Sequence, residues 1–365
     1  MSDDTKMPAG PGGGRYFKAP VFAVAPMIDW TDRHYRFLAR QLSKHALLYT
    51  EMIVSEAILR GDRERLLGLD DTKQPVALQL GGNDPGKMAE AARIGEDFGY
   101  TEINMNVGCP SDRVQSGTFG ACLMREPAVV ADCVAAMKSA VSIPVTVKCR
   151  IGVDDQEPEA ALRDLVSQVA KAGTDAVWVH ARKAWLQGLS PKENRDIPPL
   201  DYGLVYRLKS ENPHLFIGLN GGLGSLNQAL EELNHVDGVM LGRTAYHDSA
   251  MLTAVDQSFS HPLTGAAPID LSGEAFTANG HRLSLAFWAD IRDAMMGHAA
   301  RHIASGGRLI HVTRHMVGLF QGWPGARRFR QILSADATRA GAGPEVIAAA
   351  FDAILSAAEA KQAAE

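Results

Sequence analysis

A cysteine and two asparagines lie at the end of one apolar segment, where they could bind a small molecule and donate a proton to it. The stretch 100–124 (YTEINMNVGCPSDRVQSGTFGACLM) begins as an alternating strand and continues into a glycine- and serine-rich loop. Such a strand carries Asn104, Asn106 and Cys109 to the rim of a packed sheet. A thiol with the ordinary pKa of about 8.5 is protonated near neutral pH. A free cysteine also often serves as a small buried apolar residue, so both interpretations stay open.

Two glycine-containing segments follow what we predict as the last two strands of the sheet. Asn220, Gly221 and Gly222 follow the seventh strand, and Gly242 and Arg243 follow the eighth. Loops at these two places commonly bind phosphate in barrel enzymes, because glycines let the backbone approach and amide donors with an arginine hold the anion. Either segment alone is typical of a simple turn, whereas the pair favours a phosphate site.

Three further polar residues end other apolar segments. Gln79 lies in PVALQLG, Lys148 in PVTVKCRIG and His180 in AVWVHAR. An amide for the pyrimidine edge and a cation near N1 are the groups that a flavin ring needs. A structural ion pair for Lys148 and a core position for His180 are the alternatives. Taken with the phosphate loops, the set predicts a flavin mononucleotide (FMN) site, and no GxGxxG supports a dinucleotide fold.

A bound flavin would give Cys109 a specific role. Reduction of a polarised C=C bond needs a hydride on one carbon, from flavin N5, and a proton on its neighbour from an acid on the opposite face. Cys109 is the candidate acid, and Asn106 at the same rim is suited to hold a carbonyl edge of the substrate. Cys122 is the competing thiol, but it lies in GACLM at the start of an apolar helix and reads as structural.

The elements that must position these residues are eight apolar runs separated by segments of helical spacing. The runs are VFAVAPMI (21–28), ALLYTEM (46–52), PVALQLG (75–81), TEINMNVG (101–108), PVTVKCRIG (144–152), AVWVHAR (176–182), HLFIGLNGG (214–222) and GVMLGR (238–243). Near-continuous apolar strands alternating with amphipathic helices indicate parallel pairing with both faces covered. Eight units predict a closed (β/α)8 TIM barrel, with its site at the carboxyl ends of the strands.

The same pattern predicts the domain organisation. We expect a disordered leader at 1–18, the barrel at 19–256, a linker at 257–280 and a smaller all-α domain at 281–365. The connection between Arg182 and Leu200 is too long for a simple link and is a candidate substrate loop.

Composition limits the class of protein. The chain has 365 residues, of which 46% are hydrophobic and 22% charged, as in soluble globular proteins. The sequence has no secretory signal pattern and no apolar run near the roughly 20 residues of a membrane helix, so we expect a cytoplasmic protein with reduced thiols. It has no CxxC, so we expect no structural zinc.

The charge of the chain is unevenly distributed. Net charge is −5, but 281–330 holds eight arginines against two aspartates, a balance of +6. That segment is either a solvated helix face or a surface for a polyanion.

Five motifs together resemble the tRNA-dihydrouridine synthase family, in particular its bacterial A-type subfamily. They are APMIDWTDRHYR, EINMNVGCPSDRVQSGTFGACLM, VTVKCRIGVDD, HARKAWLQGLSPKENRDIPPLDY and GLFQGWPGARRFR. The resemblance covers residues 19–333, and no motif position departs from the family pattern.

This resemblance implies an FMN enzyme that uses NADPH to reduce D-loop uridines of tRNA, nucleotides 20 and 20a. Because a large polyanionic ligand suits a monomer, we expect a monomer with no obligate protein partner and no membrane. Cys109 matches the proton donor of the family. The residues that match cofactor contacts are Pro26, Met27, Ile28, Gln79, Lys148, His180, Asn220, Gly221, Gly222, Gly242 and Arg243. The residues assigned to the uridine or to the rest of the tRNA are Asn106, Arg150, Lys192, Arg195, Arg314, Arg327 and Arg330.

Two other functions stay open at this point. A flavin-dependent reductase or dehydrogenase of free pyrimidines, of the dihydroorotate type, would use the same cofactor but leave the arginine-bearing helices unexplained. A barrel that binds RNA without catalysis would be colourless. Because a uracil in folded tRNA must be extruded to reach a barrel mouth, the helical segment is well suited to hold the RNA meanwhile.

Overall fold

Eight parallel strands close into a barrel in chain order, and β1 pairs with β8. The computed structural model describes residues 16–17, 20–111 and 118–362, so part of the loop after Cys109 and most of the predicted leader lie outside the described residues. The strands are β1 Val21–Val24, β2 Leu47–Val54, β3 Val76–Gly81, β4 Glu102–Val107, β5 Val145–Arg150, β6 Ala176–His180, β7 Phe216–Asn220 and β8 Gly238–Leu241. The predicted (β/α)8 fold is confirmed.

Helices cover the outside of the barrel between the strands. They are α1 Arg33–Leu42, α2 Ser55–Arg60, α3 Arg63–Leu67, α4 Pro85–Asp97, α5 Pro127–Ala140, α6 Pro158–Lys171, α7 Tyr202–Glu211, α8 Leu226–Glu232 and α9 Arg243–His247. Short 3-10 turns lie at Gly120–Arg125, Glu193–Arg195 and Ser249–Gln257. Local signals explain where helices start: the Asp84 side chain accepts from the N–H of Lys87, and Pro85 occupies the first turn.

The barrel interior is filled rather than hollow. Trp178 of β6 is fully buried there and packs against Phe216 with ring centroids 5.4 Å apart. Gly218 of β7 must lack a side chain, because a β-carbon would stand 2.1 Å from the Trp178 ring. Alternate residues of β4 also point inward, and these are polar.

The lowest of these inward residues, Glu102, closes the amino end of the barrel. Its carboxyl group accepts hydrogen bonds from Tyr49 and Thr146, each at 2.5 Å, and from Tyr16. Burial raises the pKa of Glu102 well above its ordinary value, and the hydrogen bond from Thr146 opposes this shift. Phe17 is buried beside it. The two described residues of the predicted leader therefore pack against the barrel.

The chain ends in a helical region with its own aromatic core. Its helices are α10 Leu285–Ala304, α11 Leu309–Thr313, α12 Ala326–Ala335 and α13 Glu345–Gln362. Trp288 and Phe320 meet edge to face at 4.7 Å, and Phe329 and Phe351 at 5.5 Å. This agrees with the all-α character predicted after residue 281, whereas the boundaries of leader, barrel, linker and helical domain stay predictions.

Histidines join this helical region to the barrel. The Nδ1 atom of His34 in α1 lies 2.9 Å from the Nε2 atom of His298 in α10. Burial lowers the pKa of His34 to about 3 and that of His298 to about 4, so both rings are neutral near pH 7. No helix within the described residues is long and apolar enough to cross a membrane.

Candidate active site

A chain of side-chain amides leads from the barrel interior to the turn that carries Cys109. The Gln79 side chain donates to Asn104 Oδ1 at 2.8 Å and accepts from Asn106 Nδ2 at 2.8 Å. Asn106 Oδ1 in turn accepts from the backbone N–H groups of Gly108 at 3.1 Å and Cys109 at 3.0 Å. The alternating polar residues of β4 therefore fix the backbone at the predicted reactive thiol.

The Cys109 turn is also held from outside the strand. Its carbonyl oxygen accepts from the Ala121 N–H at 2.9 Å, and Arg150 Nε donates to the carbonyl of Gly108 at 3.2 Å. The Cys109 thiol lies 3.5 Å from the hydroxyl of Ser111 and is partly buried. Backbone contacts on both sides therefore leave the thiol itself as the adaptable part of the turn.

Cys109 lies on the cationic side of the barrel mouth. Burial lowers the pKa of Lys148 to about 7 and that of Arg150 to about 10, and the nearby Cys109 opposes both shifts. Cys109 likewise opposes the lowering of the Arg195 pKa, which burial dominates. The strand register places Asn106 opposite Lys148, so the turn that follows Asn106 carries Cys109 to the mouth that Lys148 lines.

Lys148 is bound by an amide rather than by a carboxylate. Its ammonium donates to Asn220 Oδ1 at 3.0 Å, and Asn220 Nδ2 donates to the carbonyl of Met240 at 2.7 Å. Among the described residues no acidic side chain forms an ion pair with Lys148. The structural ion pair considered from the sequence is thus not found in this part of the chain. A buried ammonium with a lowered pKa is stabilised by an anion placed beside it.

His180 is buried at the end of β6, and its ring could accept or donate a further hydrogen bond. Its Nδ1 atom has no partner among the described residues. Burial, reinforced by Arg150 and Lys148, lowers the pKa of His180 well below its ordinary value, so the ring is neutral. A β-carbon at Gly221 would lie 3.0 Å from the ring. A buried polar atom without a partner is costly, which favours a ligand at this point over a satisfied core histidine.

The first of the two predicted phosphate loops has backbone geometry that requires glycine. Gly221 and Gly222 adopt φ of +105° and +73°, a region that residues with side chains rarely occupy. A β-carbon at Gly222 would also stand 2.4 Å from Leu200 Cδ1. At the neighbouring strand end, Gly242 precedes α9, and Arg243 forms a 2.7 Å ion pair with Asp196. The two loops lie side by side because β7 pairs with β8.

The loop after β1 borders the same rim. Met27 approaches Gly242 closely enough that a β-carbon there would lie 3.5 Å from its sulfur. The Met27 N–H donates to Thr31 Oγ1 at 2.9 Å, Pro26 is half-buried, and Ile28 is exposed. Glu51, within β2, accepts from the backbone N–H of Asp29 in this loop at 2.5 Å. The structure therefore brings the predicted residues of β1 and β8 together.

The long connection between β6 and α7 is organised by Asn194. This side chain is fully buried, and it binds the backbone N–H and C=O of Trp185 at 2.7 and 2.9 Å. Its neighbours include two predicted RNA contacts: Lys192 is exposed, and Arg195 is half-buried with an Nε atom that has no partner in the described residues. Arg150, predicted to contact substrate, is buried and donates to the Asn194 carbonyl at 2.9 Å.

The remaining predicted RNA contacts lie apart from the mouth, in the helical region. Arg327 and Arg330 are exposed on α12 and form no ion pair with any described residue. Arg314 instead pairs with Asp32 of the barrel at 2.6 Å. Free arginines on α12 suit phosphate binding, whereas Arg314 also joins the helices to the barrel.

Sequence reasoning passed over Asn194 and the loop frame that it builds. The signal for Asn194 was a single polar residue within the charged run SPKENR, which reads as solvated surface. Its full burial follows from backbone contacts 5 and 9 residues away, which no local pattern shows.

Comparison with known proteins gives the family. A sequence model described as "Dihydrouridine synthase (Dus)" matches residues 23–357. Three relatives are named tRNA-dihydrouridine(20/20a) synthase. The Xanthomonas campestris protein is 51% identical over 92% of this chain and 94% of its own. That of Shewanella oneidensis is 51% identical over 92% and 94%, and that of Pseudomonas syringae is 53% identical over 87% and 89%. These matches confirm the resemblance drawn from the motifs: the chain belongs to the dihydrouridine synthase family.

Proposed function

We propose that this protein is an FMN-dependent tRNA-dihydrouridine synthase that reduces the C5–C6 bond of D-loop uridines 20 and 20a, with NADPH as reductant. The proposal rests chiefly on one observation: the hydrogen-bonded chain from Gln79 through Asn106 to the Cys109 turn shares its rim with Lys148 and His180. The names of the relatives support the same substrate.

The residues at the rim fit FMN. The unpartnered Nδ1 of His180 and the destabilised ammonium of Lys148 both favour a polar, partly anionic ligand. Gln79 would hold the ring edge; Asn220, Gly221, Gly222, Gly242 and Arg243 would hold the phosphate side; Pro26, Met27 and Ile28 would border the ring. When bound and reduced, FMN would supply the hydride for C6 of uracil.

Cys109 would supply the proton for C5. A neutral thiol on the far side of the base gives up its proton as C5 gains the electron pair, and solvent later restores it. The backbone of the turn is fixed by Asn106 and Arg150, so side-chain rotation is the freedom left to the Sγ atom. Asn106 Nδ2 uses one of its two hydrogens on Gln79, and the second is available for a uracil carbonyl.

The rest of the tRNA would be held by cations around and beside the mouth. When one base is extruded, the neighbouring bases lose stacking, and the protein must stabilise them. Contacts to phosphates fix the position of the RNA on the protein. Lys192 and Arg195 border the mouth, and Arg327, Arg330 and Arg314 lie on the helical region. Arg150 contributes from below, where it supports both the Cys109 turn and the loop of Lys192.

The test is turnover on two substrates. We expect the purified protein, with FMN and NADPH, to form dihydrouridine in unmodified tRNA and to leave free uridine unreduced, because free uridine lacks the phosphates that the cations hold. Comparable turnover on free uridine would favour a reductase of free pyrimidines instead. A colourless protein that binds tRNA would remove the flavin from the proposal.

A further inference from the structure

The exposed apolar side chains of this protein gather on one face. Within the described residues, every large apolar side chain that is exposed follows a barrel strand at its carboxyl end, and three of the four share the β6–α7 connection. Single exposed apolar residues are ordinary, but a group around a binding site marks an interaction surface. The four are Ile28 at 50% exposure, Trp185 at 42%, Ile197 at 60% and Leu200 at 37%.

Trp185 stands on a rigid support. Strands β5 and β6 continue to pair beyond the barrel, because Val153 bridges Ala184 and the Ala184 N–H donates to the Gly152 carbonyl at 3.0 Å. The next residue is Trp185, and the buried Asn194 binds both its N–H and its C=O. The backbone of Trp185 is therefore fixed while its indole is exposed. An exposed indole buries little apolar surface and so contributes little to folding.

This support is connected to the reactive turn. One guanidinium, that of Arg150, donates to the Asn194 carbonyl at 2.9 Å and to the Gly108 carbonyl at 3.2 Å. The first contact holds the frame of Trp185 and the second holds the backbone next to Cys109. The backbones that carry the indole and the thiol are thus kept in a fixed relation.

The indole has a cation beside it. The Lys183 ammonium lies 5.4 Å from the centre of the Trp185 ring, and Lys192 and Arg195 belong to the same connection. The cores of protein–protein interfaces are depleted in lysine, which makes this surface less typical of a protein partner. A flat aromatic ring among positive charges instead complements a polyanion with exposed π faces, which is the chemistry of unpaired bases.

We propose that Trp185 is a stacking platform for an RNA base that neighbours the extruded uridine. This inference rests on the proposed tRNA substrate. Extrusion of one base exposes the face of the next, and an indole that covers this face offsets part of the lost stacking. Trp185 is then a substrate-binding residue, separate from the cations that hold phosphates.

The experiment compares Trp185→Ala and Trp185→Phe with the wild-type protein on unmodified tRNA. The wild-type protein must first form dihydrouridine, and its failure to do so would contradict the proposed function rather than this platform. We then expect Trp185→Ala to raise KM for tRNA about tenfold or more and to change kcat less, and Trp185→Phe to restore most of the affinity. Lys171→Ala, at the far end of α6, serves as an exposed control with unchanged kinetics.

Three results would overturn the inference. A KM within about twofold of wild type for Trp185→Ala would show that no base stacks there. An equal loss in the Phe variant would point to the shape of the indole rather than stacking. A loss of bound flavin in the Ala variant, read from the visible absorbance, would assign Trp185 to support of the cofactor site.

Discussion

The buried amide of Asn106 supports the turn that presents Cys109 from the side of β4. Its side chain makes three hydrogen bonds: two from the backbone N–H groups of Gly108 and Cys109, and one to Gln79. Asn106→Ala removes all three, and each is worth about 0.5–1.5 kcal/mol. The two bonds that reach the turn together contribute about 1–3 kcal/mol, so we expect the variant turn to populate displaced positions of the thiol.

The expected effect on rate follows from this displacement. A displacement of about 1 Å at a reacting group costs on the order of 100-fold, and loss of a general acid costs roughly 100- to 10,000-fold. We predict that Asn106→Ala lowers kcat about 100-fold when tRNA and FMN are saturating. If Asn106 also contacts the uracil, the Asn106→Ala variant will in addition have a higher KM for tRNA.

A double-mutant cycle tests whether Asn106 acts through Cys109. Dihydrouridine formation is measured for Asn106→Ala, Cys109→Ala and the double variant, with Asn212→Ala as control because its side chain binds only the end of α7. If Asn106 positions the thiol, the double variant is no slower in kcat than Cys109→Ala, within about threefold. Rate losses that multiply would refute the reasoning.

Three further predictions follow. The pKa values of His34 and His298 are lowered in the folded protein, so the stability that this neutral pair contributes is fully present above about pH 6.5. This contribution falls at lower pH, as the imidazoles of the unfolded chain gain protons. Urea unfolding should show each ring costing about 2 kcal/mol at about pH 5; no change would contradict the burial of this pair. Lys192→Ala and Arg327→Ala should weaken tRNA binding and flatten its salt dependence, and unchanged affinity in both would remove the docking surface. Gly222→Ala should lose FMN in equilibrium dialysis. The φ of +73° disfavours alanine, and its β-carbon would collide with Leu200, so the loop must shift away from the phosphate position.

Much of the fold could be predicted because its strands are local patterns. Buried parallel strands are continuous apolar runs, and the polar residue that ends each run must lie at the rim once the sheet closes. Lys148 and His180 are placed in this way, since their strands β5 and β6 are neighbours. These positions needed only strand order, not side-chain contacts.

The contacts that complete the site could not be predicted in the same way. Gln79 and Asn106 are 27 residues apart and meet only because β3 pairs with β4 in a particular register. His34 and His298 are 264 residues apart, and their pairing depends on how α10 packs on α1. Such contacts are set by tertiary packing, which a single sequence does not display.

The most direct measurement of the central claim is a nucleotide-resolved map of dihydrouridine after incubation of tRNA from a strain lacking this gene with the protein, FMN and NADPH. We predict dihydrouridine at D-loop uridines 20 and 20a with wild-type protein, and almost none with Cys109→Ala that still carries its yellow flavin. Dihydrouridine at the wild-type rate from the Cys109→Ala protein would contradict the account.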